Sequence, residues 1–280
     1  MSVTDAFALP FFQIAALTAL VLAGLHAYLG YHIVRRGVLF VDLALAQMAA
    51  LGVALGVVLH VEDNELLSWL LALGMTFVGA ALFAWLRGRA RQVPLEAFIG
   101  IVFATAQAAV FLILEKTPSG PEHLKETLVG SLYTIAPHHL AIVAGLYAVI
   151  AVVHFLLRKP FFDITSDPNG ARERGRNLFF WDFLFYVTFG FVVTLSVQIA
   201  GVLLVFGFLV IPAVAGVMAT SRTGRALVIG WIFCFVASVA GLLGAVDLDL
   251  PAAPSILVTL TALLLVWGLV VGAVKKARLR

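Results

Sequence analysis

The chain predicts an all-α fold, a polytopic helix bundle built into a lipid bilayer, and three observations carry that prediction. Of its 280 residues, 62% are hydrophobic and only 12% charged, which is more apolar surface than one soluble core can hide. Apolar runs of about 20 residues recur from end to end, each long enough to cross roughly 30 Å of hydrocarbon. Basic residues gather in five clusters, and the chain between successive clusters has room for two crossings. No separate soluble domain fits between the runs, so residues 1–280 read as one transmembrane domain.

In order, the apolar runs are 10–33, 37–61, 66–86, 94–114, 138–157, 178–198, 200–220, 226–246 and 255–274, about nine spans. The start, MSVTDAFALPFF, lacks the basic segment and small-residue cleavage site of a signal peptide, so the first run is expected to remain as a span. In the second run, Ala46, Ala50 and Ala54, and likewise Gly52 and Gly56, stand four apart and let neighbouring backbones approach closely. Between 178 and 220 two passes share 43 residues, with Gln198 and Gly201 at the turn. Broken or re-entrant helices there would reduce the count to eight. In the eighth run the single cysteine, Cys234, has no partner for an internal disulfide and reads as core packing.

The basic clusters are Arg35/Arg36, Arg87 to Arg91, Arg158 to Arg176, Arg222/Arg225 and Lys275 to Arg280. The positive-inside rule puts all five in the cytoplasm. That assigns 16 of the 18 Lys and Arg to one side, with Lys116 and Lys125 outside, the N-terminus outside and the C-terminus inside. There is no GxxxxGK[ST] loop for nucleotide phosphates and no basic surface interleaved with aromatics for stacking bases, so neither ATP nor nucleic acid is an expected ligand of this chain.

The longest inward connection spans 158–177 and includes FFDITSDPNGARERGRN. Asp167 before Pro168 has the pattern of a helix N-cap followed by proline at the first helical position, and Gly175 is a stop. A short surface helix is expected, either as a solvated basic loop that fixes topology or as a docking element for a soluble motor.

Polar groups inside the spans are the other signal. Asp42 sits near the start of its helix, within reach of Arg35 or Arg36, and Glu96 and Asp182 hold similar places. An intramembrane acid is also a candidate for a transport path. Gln47 lies nearer mid-membrane, where its amide must face another helix or a wet path. His26 on the first span is a candidate ligand or a hydrogen-bonding member of the bundle, and Gln107 and Gln198 raise the same question. Outside, nine acids (Asp5, Glu62, Asp63, Glu65, Glu115, Glu122, Glu126, Asp247 and Asp249) stand against two lysines and would draw a cation. His60, His123, His138 and His139 lie on that side too, and His138 with His139 are the candidate metal ligands there.

Four segments together resemble the ABC-3 family, the permease subunits of bacterial ABC importers for zinc and manganese. They are RRGVLFVDLALAQMAALGVALG at 35–56, DPNGARERG at 167–175, SVQIAGVLLVFGFLVIPAVAG at 196–216 and DLPAAPSILV at 249–258. The second is similar to the family's Asp-Pro-x-x-Ala-x-x-x-Gly coupling segment through Asp167, Pro168, Ala171 and Gly175. The third matches Gly-Val-Leu-Leu-Val at Gly201 to Val205 and Ile-Pro-Ala at Ile211 to Ala213. The resemblance implies a permease in the bacterial cytoplasmic membrane that forms a homodimer, binds cytoplasmic ABC ATPase subunits and receives cargo from an extracytoplasmic solute-binding protein. It implies a zinc or manganese ion as transported cargo, no cofactor held by the chain and no catalytic residue.

The first segment departs from the family. Members with a well-formed metal route carry Gly-Asp-x-Leu-x-His-Ala there, and alignment on Gly52 puts Leu43 at the aspartate and Gln47 at the histidine. Asp42 and Gln47 are five apart, roughly 140° around a helix, and cannot share one ion's ligand shell without distortion. Iron or a non-metal substrate stays open as cargo of such a permease, and two readings from other classes remain: a stand-alone secondary transporter or channel, and an intramembrane metalloenzyme using His26, His32 and Asp42, for which HExxH is absent.

Overall fold

The computed structural model describes residues 7–61, 64–87, 93–115, 130 and 132–278. Asp5, Glu62, Asp63, Glu122, Glu126, His123, Lys116, Lys125 and the arginines at 89, 91 and 280 lie outside the described residues. The described chain is helical: α1 Pro10–Arg36, α2 Val41–Val58, α3 Glu65–Arg87, α4 Leu95–Leu114, α5 Pro137–Leu156, α6 Arg158–Ser166, α7 Pro168–Glu173, α8 Leu178–Ala219, α9 Thr223–Asp247 and α10 Ala252–Arg278. Eight of these, all but α6 and α7, are long and apolar enough to cross a membrane.

The expected passes 178–198 and 200–220 both fall on α8, which breaks into two helical stretches at Gly201, with φ 73° and ψ 157°. No polar turn sequence separates the two halves, so the break falls on the residue that tolerates it; this backbone region is essentially closed to residues with a Cβ. An unbroken helix of this length would extend about 63 Å, twice the hydrocarbon thickness. Residues 178–200 and 202–219 would measure about 35 and 27 Å, each sufficient for one crossing.

Two compact units can be described. One comprises residues up to Val34, Val129–Tyr147 and Ile199–Arg280. In it helices meet through small residues: a Cβ on Gly30 of α1 would fall 1.9 Å from the Leu209 carbonyl oxygen, and one on Gly216 of α8 would fall 2.1 Å from that of Ala226 in α9. A Cβ on Gly241 of α9 would fall 2.6 Å from the Ile256 Cα of α10. Such contacts substitute for hydrophobic driving force inside lipid, where apolar side chains gain little by clustering. Indole and hydroxyl groups add cross-links: Trp231 Nε1 donates to the Gly24 carbonyl at 2.8 Å, Trp267 Nε1 donates to that of Ala215 at 3.0 Å, and Tyr31 and Thr223 hydroxyls are 2.8 Å apart. Cys234 is a free, buried thiol here.

The other unit comprises Arg35–Leu128 and Ala148–Gln198. Within it α2 packs on α3 and α4. Gly52 again marks the closest approach, since a Cβ there would lie 2.3 Å from the Leu71 carbonyl oxygen. Ala54 packs with Val110 and Leu114 of α4. Thr76 of α3 and Thr194 of α8 bring their hydroxyls within 3.2 Å, and Ser196 returns its hydroxyl to the Val192 carbonyl. This unit also holds α6 and α7.

Candidate functional site

The sharpest local construction is α7, six residues long, in which Asp167, Pro168, Ala171 and Gly175 of the DPNGARERG pattern each have a separate physical task. Asp167 is the N-cap, with Oδ1 accepting from the Gly170 N–H at 2.9 Å. Pro168 follows at the first helical position, where its missing N–H would be unpartnered anyway. Ala171 has no exposed surface, so its methyl group is the helix's contact with the protein. At the far end Gly175 has φ +81°. Its N–H donates to the Arg172 carbonyl at 2.9 Å, and the Arg176 N–H donates to that of Ala171 at 3.0 Å. These two bonds and a left-handed glycine form a Schellman stop. Capped at both ends, α7 holds a shape that six residues could not hold by propensity.

The segment rests on a buried floor. Phe161 and Ile164 of α6 are fully buried, and Phe161 stacks on His154 with ring centroids 4.5 Å apart and meets Trp181 edge-on at 5.8 Å. His154 Nε2 lies 2.8 Å from the Thr188 hydroxyl. These contacts join α5, α6 and the start of α8.

Beside that floor stands a charge cluster built on Asp182, near the start of α8. The sequence put Asp42 within reach of Arg35 or Arg36; Arg36 Nη1 donates to Asp182 Oδ1 at 2.9 Å, and Arg87 Nη1 donates to the same oxygen at 2.6 Å. The side chains of Arg36 and Asp182 are 0% and 2% exposed, against 17% for Arg87. Arg36 also donates through Nε to the Thr165 hydroxyl at 3.0 Å and lies 4.0 Å from the Phe185 ring centroid. One guanidinium thus ties the ends of α1, α6 and α8, with α3 joined through Arg87. The signal was present as charges at the ends of apolar runs, but nothing in the sequence pairs Arg36 with a residue 146 positions away. Glu96 takes a helix-linking role as well, accepting from the Leu39 N–H at 2.9 Å.

The candidate pathway residues fall in both compact units. Asp42 is 2% exposed, at the second position of α2, and its Oδ1 has no hydrogen-bond partner. Gln47 is 3% exposed on the same helix. Gln198 is exposed, three residues before the Gly201 break. These three belong to one compact unit and His26 to the other. His26 is buried, with Nδ1 donating to the Leu22 carbonyl at 2.7 Å and Nε2 left without a partner. The Tyr147 and Phe208 rings flank it. His138 and His139 are exposed in the first turn of α5, and adjacent though they are, their ring centroids are 4.0 Å apart. Among the described residues no three His, Cys, Asp or Glu side chains group closely enough to hold a metal ion.

The model of the ABC 3 transport family matches residues 8–271, nearly the whole chain. This chain belongs to the ABC 3 transport family. The chelated iron transport system membrane protein YfeD of Yersinia pestis is 26% identical over 276 residues, covering 98% of this chain and 89% of the relative. The high-affinity zinc uptake system membrane protein ZnuB of Haemophilus influenzae is 26% identical over 247 residues, 87% of this chain and 91% of the relative. Among solved structures, PsaBC from Streptococcus pneumoniae in complex with Fab superposes with a TM-score of 0.79 at 21% identity, over 95% of this chain and 94% of the other. That likeness bears on the fold. Membership makes this ABC 3 chain a multi-pass membrane permease subunit of an ABC transporter rather than an enzyme.

Proposed function

We propose that this permease imports a divalent first-row transition metal ion, zinc or manganese or iron, through a homodimer driven by separate cytoplasmic ATPase subunits and supplied by an extracytoplasmic binding protein. The observation that carries the reading is α7: a helix of six residues, capped by Asp167 and Gly175 and seated through Ala171, is a stiff lever on a firm floor. In the proposed mechanism the ATPases grip this lever as they close on ATP, and the α6 floor with the Arg36–Asp182–Arg87 cluster passes the movement to α1, α3 and α8.

Relatives of equal identity name iron and zinc, so similarity does not choose the metal. The proposed path runs past Gln47, Asp42, Gln198 and His26, with His138 and His139 as outer contacts. A route without a strong ligand cage suits transport, since tight binding inside would slow release, and selectivity would then rest on the binding protein. Charge at the helix ends favours a cytoplasmic C-terminus and an outer N-terminus in the inner membrane. The test is uptake of radiolabelled zinc, manganese and iron into proteoliposomes holding the permease with its ATPase and binding protein. ATP-dependent uptake of one metal is expected. Uphill uptake by the permease alone, driven by a proton or sodium gradient, would refute the proposal.

A further inference from the structure

At the edge of the α7 platform the chain forms a cleft of about 430 Å³ between the end of α3, α7 and the start of α8. Its polar wall carries Arg87, Arg172, Arg176 and Asn177, and its apolar wall includes Trp85 and Phe179. One acid lines it, Asp182, and that carboxylate already receives Arg36 and Arg87. Arg172 is exposed, and Arg176, 35% exposed, makes a loose 3.5 Å contact with Asp163. Phe179 and Trp85 are 48% and 47% exposed. Asn177 caps α8, with Oδ1 accepting from the Phe180 N–H at 3.1 Å, so the positive end of a long helix also faces this region.

The position decides what such a cleft suits. Arg87 ends one spanning helix and Leu178 begins another, which puts the cleft at the boundary of hydrocarbon and water, a placement that rests on the membrane reading of the chain. A guanidinium cluster recognises phosphate oxygens, and exposed aromatic rings at this depth lie against acyl chains and glycerol. A soluble anion would use the arginines and leave the aromatic wall without a counterpart. We propose that this cleft holds the phosphate of an anionic membrane phospholipid, with Arg172 and Arg176 on the headgroup and Trp85 and Phe179 beside the chains. A lipid there would brace α7 against α3 and α8, and the anionic content of the membrane would then influence coupling.

The test is native mass spectrometry of the full chain released from detergent after incubation with equal amounts of phosphatidylglycerol and phosphatidylcholine. The wild type is expected to retain phosphatidylglycerol preferentially. The pair Arg172→Gln/Arg176→Gln should lower that preference by about 25-fold, two arginines each being worth about fivefold near a charged surface. Arg172→Lys/Arg176→Lys should keep most of it. An unchanged preference in the glutamine pair would overturn the proposal, as would an equal loss in Lys275→Gln/Lys276→Gln, which would mean diffuse attraction. Displacement by millimolar inorganic phosphate would assign the cleft to a soluble anion instead. Loss of ATPase co-purification with lipid preference intact would assign it to protein docking. Metal uptake does not enter these readouts, so a negative result here leaves the transport proposal standing.

Discussion

Arg36 Nη1 and Arg87 Nη1 converge on a single oxygen of Asp182, at 2.9 and 2.6 Å. Two cations and one anion, two of the three side chains almost wholly out of solvent, form a balance that fails when the anion is removed. Asp182→Asn would strand a buried guanidinium, and breaking such a pair costs about 3–5 kcal/mol. Thermal unfolding in detergent should show a large fall in Tm. Arg87→Gln, removing the more exposed partner, should lower it less, and equal Tm values for Asp182→Asn and wild type would exclude the cluster as a structural joint.

The left-handed Gly175 makes a graded prediction. A β-branched residue at φ +81° is strained, asparagine is tolerated better, and the left-handed region costs about 1–2 kcal/mol for residues with a Cβ. Gly175→Val should therefore leave the assembled transporter hydrolysing ATP with little metal uptake, and Gly175→Asn should retain a substantial share. The ratio of transported metal to ATP hydrolysed, measured in proteoliposomes, reports the difference.

Asp167 gives a second handle on the same helix. Its carboxylate satisfies the Gly170 N–H, and loss of an N-cap costs about 1 kcal/mol. Asp167→Ala is expected to lower coupling, and Asp167→Asn, which still presents an acceptor oxygen, to restore it. If alanine and asparagine behave alike, the cap is not what the aspartate supplies.

Gly52 and Gly74 test the packing account against simple helix propensity. A Cβ on Gly52 would meet the Leu71 backbone at 2.3 Å, and nothing lies within 4 Å of one on Gly74. Gly52→Ala should destabilise by about 1–3 kcal/mol through overpacking, and Gly74→Ala should be neutral or raise stability by about 0.5–1 kcal/mol. Parallel melting curves of the two variants decide between these signs.

The spans were legible in the sequence because length and apolarity suffice to define them, and α7 was legible because Asp167, Pro168 and Gly175 act on neighbours three to five residues away. Asp182 shows the limit. Its place at a helix start was readable, but its partners come from α1 and α3, and three-dimensional proximity leaves no local trace. Gly201 is intermediate: the residue stood out at the turn between two apolar passes, yet without turn-forming neighbours the sequence did not define the shape of the break. Gln47 and Asp42 stay five positions apart on one helix, as counting along the chain required, and what faces them is not a property of that helix.

The interruption at Gly201 also has a genetic consequence. Every missense change of a glycine codon adds a side chain, and the torsion angles at this joint admit essentially none. The nineteen other amino acids offer no replacement, so position 201 should be among the least forgiving in a saturation library, with a penalty unrelated to any chemistry glycine performs.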